Sequence, residues 1–126
     1  MSHLIADIKG LTKAIRIPHL FGIVLVQFLT ASYLIKVPNE VVLSWEFILL
    51  TVSITILGAA GFLINDYYDQ KIDLINRPDR VVVGIHLRRR LVLAAHMGLS
   101  ILAIMIGLWI ELWLGLFNFF ASFMLW

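Results

Sequence analysis

Uncharged apolar blocks alternate with short polar ones along this chain. Residues 4–16 come first. There Leu4, Ile5, Ile8, Leu11 and Ile15 recur at helical spacing among Asp7, Lys9, Lys13 and Arg16. That pattern predicts an amphipathic helix lying in a membrane interface, or equally a helical lead-in to the first span. Apolar blocks then predict spans over about 17–35, 42–64, 91–110 and 112–126, since about 20 apolar residues cross a bilayer. Pro18 falls in the first turn of span one, where a proline costs little. Gln27 sits in mid-span and predicts a hydrogen bond to a neighbouring helix, with a substrate-lining role as the alternative. Lys36 to Glu40 reads as a turn. Gly58-Ala59-Ala60-Gly61 reads as a close helix–helix contact that also clears space beside the end of span two. The block from Leu112 to Trp126 makes roughly 22 Å of helix against a hydrocarbon core of about 30 Å. A bundle that continues past Trp126 is therefore expected.

Composition sharpens this into a fold class. Of 126 residues, 61% are hydrophobic, against about 45–50% in soluble domains. Mean hydropathy is +0.96. An all-α, polytopic transmembrane helical bundle follows, with about four membrane segments in these residues. There is no cysteine, so disulfides and thiolate metal sites are excluded. The N-terminus has no basic cluster followed by a short apolar core and a small-residue cleavage site, so no cleaved leader is predicted. Lys9, Lys13 and Arg16 precede span one. Lys71, Arg77, Arg80, Arg88, Arg89 and Arg90 lie between spans two and three, and only Lys36 falls on the other side. This asymmetry predicts a cytoplasmic N-terminus and a cytoplasmic connection over 65–90, in the cell's inner or plasma membrane. Net charge is +2, which leaves no nucleic-acid footprint once those topology bases are set aside.

Chemistry concentrates at the end of span two, in Asn65-Asp66-Tyr67-Tyr68-Asp69-Gln70-Lys71-Ile72-Asp73. The spacing i, i+3, i+7 puts Asp66, Asp69 and Asp73 on one helical face. Like charges so placed repel unless a cation lies between them. Hard oxygen donors near water suit Mg²⁺, which is typically held by carboxylates together with substrate phosphates. Asn65 adds an amide at i, i+4 to Asp69. Arg77 and Arg80 follow, with planar forks suited to phosphate oxygens. As chemistry, this reads as a Mg²⁺–diphosphate clamp with Asp66, Asp69 and Asp73 as metal ligands and catalytic groups. Asp73 and Arg77 also stand at i, i+4, so part of the cluster fits a plain ion pair. Lys71 lies on another face. Tyr67 and Tyr68 read as interface aromatics, with a ring facing the site and stabilising a cation through its π face as the sharper option. His96 reads as a hydrogen-bonded packing residue. Helix is expected to run through Asp73 and break at Asn76-Arg77-Pro78-Asp79. Val81-Val82-Val83-Gly84 is expected to tuck back.

The pattern N-D-x-x-D-x-x-x-D at the end of a transmembrane helix resembles the first aspartate-rich motif of the UbiA family of intramembrane prenyltransferases. Leu74-Ile75-Asn76-Arg77-Pro78-Asp79-Arg80 continues the match with an Arg-Pro step. Arg16-Ile17-Pro18-His19 is similar to the family's arginine near the start of the first helix, although the family often has Asn where His19 stands. The resemblance implies that residues 1–126 are part of a larger UbiA-like domain. It implies Mg²⁺-dependent transfer of a prenyl group from a polyprenyl diphosphate to an aromatic or lipid-alcohol acceptor, with Arg16, Asn65, Arg77 and Arg80 around the diphosphate. The run from Asn65 to Gly84 looks most like members that use a glycerol-phosphate lipid. A second Asp-rich motif is implied further along, so these residues alone are expected to be inactive. Two other readings fit part of the pattern. One is a transporter or assembly fragment whose Asp cluster binds a cation. The other is a CDP-alcohol phosphotransferase, but its D-G-x-x-A-R element is absent.

Overall fold

A computed structural model describes residues 10–76, 78, 81–85 and 87–126. The chain is an all-helical membrane bundle. Residues 10–14 form a short helical turn. Then come α1 (Ile17–Leu29) and a π-helical segment, Thr30–Leu34. The short α2 (Asn39–Val42) leads into the long α3 (Trp45–Asn76). The last two helices are α4 (Arg89–Ile110) and α5 (Leu112–Met124). Among the described residues three segments are long and apolar enough to cross a membrane: Ile17–Leu34, Trp45–Asn76 and Arg89–Ile110. The fourth apolar block forms a shorter apolar helix, Leu112–Met124.

Pro18 breaks the chain between residue 14 and α1. Its ring would clash with the carbonyl four residues back in a continuous helix. The break falls at Arg16, which is left-handed at φ 53°, ψ 58°, a conformation costing a non-glycine residue about 1–2 kcal/mol. At the other end, the described part of α3 runs to Asn76; Arg77 and Asp79 of the predicted break lie outside the described residues.

The bundle core has an unusual composition for a soluble eye. On α3, Ser53, Leu57, Ala60 and Ile64 are buried at helical spacing. On α4 the buried stripe is Val92, His96, Ser100, Ala103 and Gly107. On α5 it is Gly115, Asn118 and Ser122. Small and polar residues face inward, while large apolar ones such as Phe21, Ile101, Trp109 and Phe117 face outward. Lipid is as apolar as a leucine core, so close backbone approach and interhelical hydrogen bonds select the buried face. Ser53 Oγ donates to Ala103 O at 2.9 Å. Asn118 Nδ2 reaches both Ser53 Oγ at 2.8 Å and Ala103 O at 2.9 Å. His96 Nδ1 donates to Ala60 O at 2.9 Å, in keeping with its predicted packing role. Glu111, extended at φ −163°, forms the one-residue turn into α5. There Gly107 and Gly115 meet so closely that a Cβ at Gly107 would lie 3.0 Å from the Gly115 Cα.

Two expectations change. Gln27 Nε2 donates to Ile23 O within its own helix at 3.3 Å, not to a neighbour. With much of its face exposed to lipid, α1 offers the amide no nearer acceptor. Of the segment predicted before α1, residues 4–9 lie outside the described residues, and the described part packs into the bundle. Ala14 belongs to a buried cluster with Leu63, Val82, Val83, Leu87 and Val92, and Leu11 and Ile15 pack against it. The Val81–Val83 stretch does tuck back. Gly84 N donates to Leu87 O at 2.7 Å, and Leu87 N donates to Val82 O at 3.0 Å. Gly84 makes this turn at φ +85°, with the Gln70 side chain where a Cβ would stand.

Candidate active site

Helix α3 is about 48 Å long, so its end projects beyond a hydrocarbon core of about 30 Å. Helical rotation of 100° per residue carries Gly58, Phe62, Asp66, Asp69 and Asp73 along one side of it. That side lies roughly opposite the buried stripe of Ser53, Leu57, Ala60 and Ile64, and it faces α1. His19 meets Phe62 edge-on at 5.8 Å between ring centres, and Phe28 meets Phe47 at 5.1 Å.

Between the projecting end of α3 and the start of α1 lies a cavity of 650 Å³. Asn65, Asp66, Asp69, Gln70 and Asp73 line one side of it. Lys13, Arg16 and His19 line another, and Val81, Val82 and Val83 close it. All three aspartates therefore reach one space, together with Asn65 and Arg16. Arg77 and Arg80 lie outside the described residues. Arg16 Nη2 donates to Asp66 Oδ1 at 2.5 Å, and its guanidinium sits 5.4 Å from the centre of the Phe62 ring. Asn65 Nδ2 donates to Asp69 Oδ2 at 2.8 Å. Asn65 thus orients a carboxylate. Neither tyrosine lines the cavity. Tyr67 lies under the Arg89 guanidinium at 4.5 Å, and Tyr68 OH donates to Trp126 O at 3.2 Å.

A second space, of 560 Å³, adjoins the first. It is an apolar groove lined by Ile23, Ile54, Leu57, Gly58, Gly61, Phe62 and Leu125, and it shares Arg16 and Asn65 with the cavity. The small residues Gly58 and Gly61 hold it open.

Three carboxylates lining one water-accessible cavity supply the oxygen chemistry that Mg²⁺ takes. Asp66 is turned to Arg16 and Asp69 to Asn65. Among the described residues no three His, Asp or Glu side chains stand close enough to cage an ion. The residue types fit; Arg16 holds Asp66 Oδ1 and Asn65 holds Asp69 Oδ2, which leaves the other oxygen of each carboxylate for an ion.

Sequence reasoning missed Lys13, His19, Gln70 and the valines as cavity residues. Lys13 reads as a topology base, and the valines read only as a turn. Their only signal is the kink at Pro18 and the Gly84 turn, which bring distant segments over α3.

Fold and site together define a polytopic helical membrane protein with an acidic cavity where its longest helix leaves the apolar zone. Residues 21–126 match the model of the UbiA prenyltransferase family, and the chain belongs to that family. It is 24% identical over 116 residues to the digeranylgeranylglyceryl phosphate synthase of Sulfurisphaera tokodaii, covering 92% of this chain and 39% of that protein. It is 38% identical over 60 residues to the digeranylgeranylglyceryl phosphate synthase of Methanoregula boonei, covering 48% of this chain and 22% of that protein. The chain thus spans well under half the length of these relatives. No solved structure matches it.

Proposed function

We propose that this chain carries the donor-diphosphate half of a prenyltransferase site whose acceptor is a lipid alcohol of the glycerol-phosphate type. The observation that carries the reading is the junction of an acidic cavity with an apolar groove at Arg16 and Asn65. A prenyl diphosphate has that same division, with a charged head on a long apolar tail. The names of the two relatives favour the glycerol-phosphate class over aromatic acceptors.

In this reading the tail lies in the groove, where each buried CH₂ contributes about 0.8 kcal/mol. The diphosphate lies in the cavity. Asp66, Asp69 and Asp73 would hold Mg²⁺, whose positive charge offsets the negative charge building on the leaving group. Asn65 keeps Asp69 oriented. Arg16 exchanges Asp66 for a phosphate oxygen, and Arg77 and Arg80 supply further guanidinium groups. The allylic C–O bond breaks and the diphosphate leaves with the electron pair. The acceptor hydroxyl oxygen attacks the freed carbon, an ether C–O bond forms, and the hydroxyl proton is lost. The apolar groove excludes water that would otherwise capture the carbon. With the basic segments cytoplasmic, diphosphate is released to the cytosol.

The test is transfer from geranylgeranyl diphosphate by the full-length protein in vesicles. Prenyl transfer to an isoprenylglyceryl phosphate is expected, with loss on chelation and recovery on adding Mg²⁺. Donor binding that survives chelation unchanged would remove the metal from this reading. Transfer to 4-hydroxybenzoate alone would replace the acceptor class.

A further inference from the structure

We propose that Lys13 and His19 form a subsite for the phosphate monoester of the acceptor, on the wall of the cavity away from the carboxylates. The inference rests on the functional reading above and goes further by dividing the cavity between two anions.

A transfer to a phosphorylated alcohol brings two phosphate-bearing heads into one space. The carboxylate wall takes a phosphate only through a cation, and it repels one that arrives alone. Direct capture needs positive or hydrogen-bond-donating groups elsewhere. Of the three basic side chains that line the cavity among the described residues, Arg16 bonds Asp66, lies over Phe62 and, in the reading above, turns to the donor diphosphate, which leaves the other two for a second anion. Lys13 makes no ion pair among the described residues. His19 touches Phe62 through its ring edge, and neither ring nitrogen has a hydrogen bond among the described residues.

The backbone explains why these two meet. In an unbroken helix, residues six apart point about 120° away from each other. The left-handed turn at Arg16 interrupts the helix between them, and both line the same cavity. The residue that carries this backbone strain thus lies between Lys13 and His19 in the chain. Strained residues of this kind persist where surrounding structure over-determines them, often at ligand clamps.

The test uses the full-length protein in phosphatidylcholine vesicles, with an isoprenylglyceryl phosphate and the same lipid lacking its phosphate as alternative acceptors. Lys13→Met keeps the apolar stem, and His19→Phe keeps the edge contact with Phe62. The double variant is expected to raise KM for the phosphorylated acceptor about tenfold or more, the scale of losing a charge-assisted hydrogen bond. KM for the prenyl diphosphate and for the unphosphorylated alcohol is expected to stay within about twofold of wild type. Lys13→Arg, which keeps the charge, should retain phosphorylated-acceptor KM. A rise in donor KM would assign Lys13 and His19 to the diphosphate and overturn the subsite. So would a double variant as sensitive with the unphosphorylated alcohol, or one indifferent to both. A wild type that transfers to neither alcohol overturns the functional reading and the subsite together. A working wild type with an indifferent double variant overturns the subsite alone.

Discussion

Helix α3 has two sides that follow opposite rules. One carries Ser53, Leu57, Ala60 and Ile64, all buried against α4 and α5. The other carries Gly58, Phe62, Asp66, Asp69 and Asp73 and faces α1, with open space along it. The first side is uncharged, and its polar groups find partners in the bundle, as Ser53 does at Ala103 O. The second side ends in three like charges, one of them balanced by Arg16. A helix optimised only for stability would not gather three carboxylates on one face. The comparison separates what holds the bundle from what the bundle holds, and substitutions on the two sides should fail in different assays.

The largest effect is expected at Asp69. Asp69→Ala in the full-length protein should lower prenyl transfer by about 10³-fold, or about 4 kcal/mol of transition-state stabilisation. Membrane insertion and the thermal unfolding midpoint in detergent should stay at wild-type values, since among the described residues Asp69 bonds only to Asn65. Normal turnover in this variant would take the working side out of the chemistry.

Next in size is the reverse case. Ala60 is fully buried, and its carbonyl accepts from His96. Ala60→Leu inserts methylenes where α3 and α4 touch and should destabilise the protein by about 1–3 kcal/mol. A folded fraction of that variant, purified by size exclusion, should keep the wild-type KM for the prenyl diphosphate. An unchanged unfolding midpoint would mean that the two helices are not packed as described.

Parts of this division are readable from sequence. The i, i+3, i+7 spacing of the aspartates is local, so periodicity reveals it. The small patch at Gly58 to Gly61 is also local, and its two predicted roles fall to different residues. Ala59 and Ala60 pack inside, while Gly58 and Gly61 line the groove. The opposite wall of the cavity is not readable in this way. Lys13, His19 and Val81 to Val83 reach Asp69 only through a kink and a turn, whose directions depend on packing around Leu63 and Leu87. Gln27 misled for a related reason. A mid-span amide needs a close neighbour to bond across helices, and where α1 sits decides whether it has one.

A smaller effect should mark the boundary between the sides. A Cβ at Gly58 would lie 2.7 Å from Ile23 Cδ1, so Gly58→Val pushes on α1 and narrows the groove. Discrimination against a long donor relative to a short one should grow about tenfold in kcat/KM, the scale set by one or two methylenes in an apolar pocket. Equal slowing of geranyl and geranylgeranyl diphosphate would show that the groove does not hold the tail.

The smallest effect lies at the buried polar knot. Ser53 and Asn118 both reach Ala103 O, and the amide of Asn118 also donates to Ser53 Oγ. Ser53→Ala removes one of two donors to that carbonyl and leaves the other in place. Interhelical hydrogen bonds in membrane bundles average about 0.6 kcal/mol, so a loss of that order is expected. The double-mutant cycle with Asn118→Ala should then show a coupling of about 0.5 kcal/mol or more, because the two side chains share a bond and an acceptor. Strict additivity would mean that each side chain anchors its helix independently. Transfer activity should not respond to either change, since Ser53 lies on the packing side of α3, across the helix from the carboxylates, and Asn118 of α5 meets it there. A fall in kcat at unchanged stability would show that the two sides of α3 are coupled through the helix, and the separation drawn between them would not hold.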